Sequence, residues 1–354
     1  MKQTLILEVD PENPEIAKIK IAADLIRKGG LVAFPTETVY GLGANALNPE
    51  AVVSLFKAKN RPLDNPPIIH IENAEMVNNL VTEIKQKAKK LMKTFWPGPL
   101  TLIFKRSALV PKVTTAGLET IAIRMPNHKV ALNLIKESGY PIAAPSANIS
   151  GKPSPTTAEH VYYDLNGKID AILDGGLTQI GLESTVVDMT IDPPMLLRPG
   201  GTPLESLRDI VNSIKIHPFV FASKELSNGK VRSPGMKYKH YSPNAEVLIV
   251  EGSLPAIIVK VKSLVSSFKT KGKKVGVLAT DETISAYDDA DSIKSLGSRF
   301  NLSLAAFRLF RLLRDFDSEK IDIIVAEGLP EEGLGLAVMN RLYKAAAYNI
   351  IKAD

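Results

Sequence analysis

The chain has 354 residues, with 44 Lys and Arg against 38 Asp and Glu, 45% apolar and 23% charged residues, and no cysteine. This is the composition of a folded chain of about two domains, and it excludes disulfides, thiolate metal sites and cysteine nucleophiles. No apolar run reaches the roughly 18 to 20 residues of a membrane span, and Glu8 comes too early for a secretory leader, so a cytoplasmic protein with no membrane partner is expected.

From the N-terminus, short apolar runs alternate with helical patterns. The runs are 31–35 (LVAFP), 67–71 (PIIHI), 100–104 (LTLIF), 120–125 (TIAIRM), 141–145 (PIAAP), 171–176 (AILDGG) and 184–189 (STVVDM). They predict an α/β sheet of mixed strand direction. One helix is marked at both ends: Asn48 is suited to the N-cap, Pro49 to the first helical position and Glu50 to the dipole. Val52, Val53, Leu55 and Phe56 form its apolar stripe, and Pro62 stops the chain. Thr156 and Glu159 have the spacing of a capping box for a later helix.

Residues 222–243 are rich in Ser, Gly and Pro and carry Lys224, Lys230, Arg232, Lys237 and Lys239 against Glu225, four of the six net positive charges. The expected organisation is therefore 1–215, a basic linker 216–243, and 244–354. Beyond the linker, apolar strands at EVLIVEG, KVGVLATDE and IDIIVAEGLP alternate with helices at 255–269, near 302–313 and at 336–347. That order predicts a small parallel, Rossmann-like sheet.

The familiar nucleotide motifs fail on inspection. Gly41-Leu42-Gly43-Ala44-Asn45-Ala46 has the form G-x-G-x-x-A, but no helix opens on it, because the helix waits for Asn48. Gly151-Lys152 lacks the upstream glycine and the Ser/Thr of a Walker A loop, and no G-x-S-x-G elbow occurs. The five histidines show no zinc-ligand spacing.

What remains is a set of polar points at strand and helix ends. Lys59 and Arg61 leave the marked helix, where they either complement its dipole or face a ligand. Ser146 to Ser154 is a polar loop directly after an apolar strand, the place where open α/β sheets bind ligands. Thr36-Glu37-Thr38 follows the first strand, Arg124 sits inside an apolar run, and Arg198 closes another. A buried arginine needs an anion, either an internal carboxylate or a ligand's carboxylate or phosphate. His70 reads either as a satisfied core histidine or as a ligand. Together these residues suggest one polar, cationic cleft.

The blocks FPTETVYGLG (34–43), KAKNRP (57–62), WPGPLT (96–101), IRMPNH (123–128), APSAN (144–148), DGG (174–176), ESTVVD (183–188) and LRPG (197–200) occur in order. In them the chain resembles the threonylcarbamoyl-AMP synthase family, the YrdC-like proteins. SPGMKYKHYSP and GLGLAVMNRLYKAA extend the likeness to longer members with a C-terminal Rossmann-like domain. The resemblance implies a twisted mixed sheet around a large concave cleft. It also implies synthesis of threonylcarbamoyl-AMP and pyrophosphate from L-threonine, bicarbonate or CO2, and ATP with its Mg2+. The product would pass to the tRNA threonylcarbamoyl-transferase complex.

The family's K-x-R and S-x-N signature falls on Lys59, Arg61, Ser146 and Asn148, implied to be catalytic and ATP-binding. Thr120, Ser154, Arg198 and Tyr241 would add nucleotide contacts, while Thr36, His70, Arg124 and Ser184 would form the threonine pocket. No metal ligand from the protein is expected. The basic linker then reads as a lid over the triphosphate, with Tyr241 and one or more of Arg232, Lys237 and Lys239 reaching it. An RNA-binding factor and a carbamoyl-phosphate-dependent carbamoyltransferase are the alternatives. Concentration of the charge in one linker and the lack of an aromatic-rich strand argue against direct tRNA binding.

Overall fold

The computed structural model describes residues 3–221 and 241–353. These form two compact units, unit 1 holding 3–150 and 154–220 and unit 2 holding 151–153, 221 and 241–353.

Unit 1 is built on β1 (Leu5–Glu8), β2 (Val32–Phe34), β3 (Gly41–Asn45), β4 (Ile68–His70), β5 (Leu100–Lys105), β6 (Thr120–Arg124), β7 (Ile142–Ala144), β8 (Ala171–Asp174), β9 (Thr185–Asp188), β10 (Met195–Arg198) and β11 (Lys215–Ile216). They join in the order β1-β8-β2-β3-β7-β4-β6-β5-β9-β10-β11, with parallel and antiparallel neighbours mixed. Its helices are α1 (Ile16–Arg27), α2 (Pro49–Ala58), α3 (Val77–Leu80), α4 (Gln86–Phe95), α5 (Lys129–Ser138), α6 (Ala158–Leu165) and α7 (Leu204–Ile210).

Strand periodicity sorts the core. Val32 and Phe34 pack with Ile19 and Ile26 of α1 and Leu134 of α5, whereas Ala33 between them packs with Leu55 of α2 and Leu165 of α6. Every apolar run expected before the linker contains a strand. The G-x-G-x-x-A stretch is also a strand, fully buried between β2 and β7. A Cβ on Gly43 would lie 2.8 Å from both Ile142 Cγ2 and Phe34 Cε1, so the glycine serves close side-chain packing across strands.

The α2 helix starts as its sequence dictates, with Asn48 Oδ1 accepting from Glu50 N at 3.0 Å and Ala51 N at 3.2 Å. The capping box needs correction. Thr157, not Thr156, is the N-cap of α6 and accepts from His160 N at 3.2 Å, while Thr156 is buried in the preceding turn. The unit boundary also shifts. Ile216 pairs with Leu196 of β10 and a 3₁₀ turn over Pro218–Val220 buries Val220, so 216–220 belong to unit 1 rather than to a linker.

Unit 2 contains β12 (Glu246–Gly252), α8 (Leu254–Thr270), β13 (Val275–Ala279), β14 (Ser292–Ser295), α9 (Leu302–Ser318), β15 (Ile323–Glu327), α10 (Gly335–Ala345) and β16 (Ile350–Ala353). All pairs in its order β14-β13-β15-β12-β16 are parallel, as the strand-helix alternation predicts. Near-continuous apolar strands such as β13 and β15 suit a sheet buried on both faces.

Candidate active site

One face of the unit 1 sheet carries a small apolar cluster of Ile68, Ile103, Ala122, Val186 and Leu197, separate from the larger cores. Strand alternation sets what stands beside it. His70, Thr101, Thr120, Arg124 and Ser184 share the parity of the cluster residues on their own strands, and hence its face. His70 and Arg124 are register partners on adjacent β4 and β6.

Connecting loops rim this face. In the first, after β2, Thr36 Oγ1 accepts from Thr38 N at 3.2 Å and Val39 N at 3.3 Å, a hydroxyl-closed turn. Tyr40 then ties that loop to two others: its carbonyl accepts from Ala147 N at 2.8 Å, and its hydroxyl donates to Gly176 O at 2.6 Å. Burial, with Asp174 nearby, pushes the Tyr40 hydroxyl well above its ordinary pKa, so it remains a donor.

Lys59 caps the C-terminal end of α2, only 1% exposed, and its Nζ donates to the carbonyls of Ser146 and Asn148. Ser146 Oγ donates to Asn148 Oδ1 at 2.5 Å, and Ser150 N returns a bond to Lys59 O at 2.9 Å. The lysine and the S-x-N loop are thus one assembly. Arg61 braces the turn that follows, donating through Nε to Asn65 O at 2.8 Å and through Nη2 to Pro66 O at 3.2 Å.

Arg124 is buried among three acceptors. Nε donates to Gly98 O at 3.2 Å, Nη1 to Thr38 Oγ1 at 2.8 Å, and Nη2 to Glu37 Oε2. Burial first, and then the Arg124 charge, push the His70 pKa down to about 3, so its ring is neutral at physiological pH. Its Nδ1 lies 3.2 Å from Ile68 O and its ring meets Phe34 edge-on.

On the far side, Arg198 donates to Ser184 O through Nε at 3.1 Å and Nη2 at 2.9 Å, and Ser184 Oγ lies 2.8 Å from Thr101 Oγ1. Ser154 Oγ donates to the buried Glu183 at 2.5 Å. Backbone bonds join these pieces: Gly181 N to Thr38 O at 3.0 Å and Thr185 N to Pro99 O at 2.9 Å. A Cβ on Gly200 would stand 2.3 Å from Glu183 O, so only glycine lets the Arg198 segment pass so close to Ser184.

Eleven of the twelve expected residues lie in unit 1 on this face or its rim; Thr120 is half-exposed at the start of β6. Tyr241 lies in unit 2, where it is buried, stacked on Phe310 at 5.2 Å and capped by the Arg341 guanidinium at 5.5 Å. Arg232, Lys237 and Lys239 fall outside the described residues. Glu37 and Thr38 stood among the polar points of the expected cleft without a role of their own, and Thr101 and Glu183 were not singled out from sequence. Their signal is an acid or hydroxyl beside the ends of apolar strands, inside the blocks FPTETVYGLG, WPGPLT and ESTVVD.

The arrangement defines a class: an α/β protein in which a mixed sheet and its loops gather four cations, Lys59, Arg61, Arg124 and Arg198, with two buried carboxylates, Glu37 and Glu183. The Sua5/YciO/YrdC family profile, described as telomere recombination, matches residues 24–200, and the threonylcarbamoyl-AMP synthase C-terminal domain profile matches 203–347. A threonylcarbamoyl-AMP synthase of Pyrococcus abyssi is 54% identical over 99% of both chains, and one of Bacillus subtilis is 51% identical over 98% of this chain and 96% of that one. The crystal structure of P. abyssi Sua5 complexed with L-threonine superposes with a TM-score of 0.94 at 54% identity, covering 99% of this chain and all of that one. The chain belongs to the threonylcarbamoyl-AMP synthase family.

Proposed function

We propose that the chain makes threonylcarbamoyl-AMP from L-threonine, bicarbonate or CO2, and ATP, releasing pyrophosphate. The observation that carries this reading is identity of 54% over 99% of both chains with a relative of that name. Full-length likeness of this kind leaves neither the RNA-binding nor the carbamoyl-phosphate alternative a supporting observation.

The reaction needs no covalent enzyme intermediate. The neutral threonine amine adds to CO2 and loses a proton to give a carbamate. A carbamate oxygen then attacks the α-phosphorus in line, the bond to the bridging oxygen breaks, and pyrophosphate leaves, which makes the step a nucleotidyl transfer. Positioning and charge stabilisation supply the catalysis. Lys59 and Arg61 stand against carbamate and phosphate oxygens, Ser146 and Asn148 orient ATP, and Thr120, Ser154 and Arg198 hold the nucleotide. Thr36, His70, Arg124 and Ser184 hold threonine, with Arg124 on its carboxylate.

Mg2+ arrives as part of the ATP substrate, with phosphates and water as its ligands. Among the described residues no group of three or more His, Cys, Asp or Glu is placed to hold a metal, and no helix is long and apolar enough to cross a membrane. The product passes, in the cytoplasm, to the enzyme complex that modifies tRNA. Pyrophosphate release measured with and without L-threonine tests the reading: release requires threonine and bicarbonate together, and release that ignores threonine refutes it.

A further inference from the structure

Glu37 is a buried acid that the mechanism above does not use. Its side chain is 3% exposed and that of Arg124 is 4%, so both charges have left water. Desolvating such a pair is so unfavourable that apolar replacements are often neutral or stabilising, which makes the pair a poor device for stability alone. The carboxylate is also under-used. Oε2 accepts from Arg124 Nη2, while Oε1 is buried with no hydrogen-bond partner among the described residues. Leaving a buried carboxylate oxygen without a partner is costly to the fold.

The arginine shows what Glu37 gives in return. Glu37, Thr38 and Gly98 take one donor each from Nη2, Nη1 and Nε. A guanidinium has five N–H donors, so two remain, the number one carboxylate takes in a bidentate pair. A long, rotamer-rich side chain is thereby fixed in one orientation before any ligand arrives, and of the three anchors only Glu37 is charged.

We propose that Glu37 is a positioning residue for amino-acid recognition, locking Arg124 so that its two remaining donors grip the substrate carboxylate. This rests on the assignment of Arg124 to the threonine carboxylate under Proposed function. Glu37 touches no substrate atom; it acts through the arginine. Loss of Glu37 leaves a mobile guanidinium that must be ordered at each binding event.

The test titrates L-threonine and L-threoninamide, which has no carboxylate, into the full chain by calorimetry, and reads KM for threonine and for ATP from pyrophosphate release. Glu37→Ala is expected to weaken threonine roughly 10- to 100-fold, the worth of an ion-assisted hydrogen bond. ATP KM and threoninamide binding stay within about threefold. Glu37→Gln, which keeps the shape and one acceptor for Arg124, recovers part of the loss. The double variant Glu37→Ala with Arg124→Ala binds threonine no more weakly than Arg124→Ala alone. Equal weakening of threonine, threoninamide and ATP overturns the proposal, since that is a general structural defect. If Arg124→Ala weakens threonine but neither Glu37 variant does, the Glu37 role alone fails. If Arg124→Ala leaves threonine binding intact, the pocket assignment fails and takes this proposal with it.

Discussion

Each unit buries a carboxylate beside an arginine near a strand end, and the two are treated oppositely. In unit 2, Glu327 is fully buried and saturated: Oε1 accepts from Tyr287 OH at 2.5 Å, and Oε2 accepts from Thr280 N at 3.2 Å and Thr280 Oγ1 at 3.0 Å, with Arg299 Nη1 3.9 Å away. Burial and the Glu327 carboxylate push the Tyr287 hydroxyl well above its ordinary pKa, which keeps it a donor. In unit 1, Glu37 has one oxygen bonded and one bare, and Arg124 keeps donors in hand. The Glu327 carboxylate has both oxygens satisfied within the fold, even though the neighbouring Arg299 Nη1 is left without a hydrogen bond among the described residues, whereas Glu37 has an oxygen that the fold does not satisfy and that calls for an explanation.

The strongest break in that comparison is at Lys59, whose ammonium joins α2 to the S-x-N loop. Lys59→Ala is expected to lower kcat/KM for pyrophosphate formation roughly 100- to 1,000-fold, the range for removing one preorganised charge-stabilising donor. Wild-type kcat/KM in that variant would remove Lys59 from the mechanism.

His70 gives the next largest effect, on stability. Its folded pKa of about 3 lies below the ordinary histidine value of 6.5, so between those limits the unfolded chain binds more protons. The stabilisation is whole above about pH 6.5 and is lost as pH falls toward 3, by about 3 kcal/mol between pH 6.5 and 4. Denaturant melts at both pH values should show a shallower pH dependence for His70→Gln than for the parent; identical slopes would mean that the ring is not desolvated.

At Glu327, the substitution Glu327→Gln turns one acceptor oxygen into a donor group facing Tyr287 or Thr280. It should destabilise the protein by about 1–3 kcal/mol while leaving threonine KM and kcat unchanged. A raised threonine KM there would erase the distinction between the two carboxylates. The smallest effect belongs to the α6 cap: Thr157→Ala should lower stability by about 1 kcal/mol and Thr156→Ala, one residue before the cap, should not remove the cap bond. Melting temperatures of the pair decide which threonine caps.

Unit 2 was the more legible fold. Its strands are apolar along their length and separated by helices with clear stripes, which leaves little but a parallel sheet. Even so, β14 and β16 were not anticipated, because four-residue strands that are only half-buried carry weak periodicity. In unit 1 seven apolar runs marked strands, but β1, β3 and β11 were not anticipated and the strand order was not legible: β4 lies between β7 and β6 through contacts far apart in sequence, which no local pattern encodes. The site followed the same division. Arg124 and Arg198 showed as cations inside or closing apolar strands, and Lys59 and Arg61 as cations at a helix exit. Glu37 showed only as part of a polar turn with no role of its own, and Glu183 not at all, since an acid just outside a strand looks like a solvated loop until the fold closes over it.

The central claim is that the site builds a carbamoyl group between threonine and AMP, and the fate of the bicarbonate carbon tests it most directly. With ATP, L-threonine and ¹³C-bicarbonate, the account predicts a threonylcarbamoyl-AMP species that carries one ¹³C, formed in step with pyrophosphate. Pyrophosphate released without that labelled adenylate, or an adenylate of threonine holding no label, would contradict it.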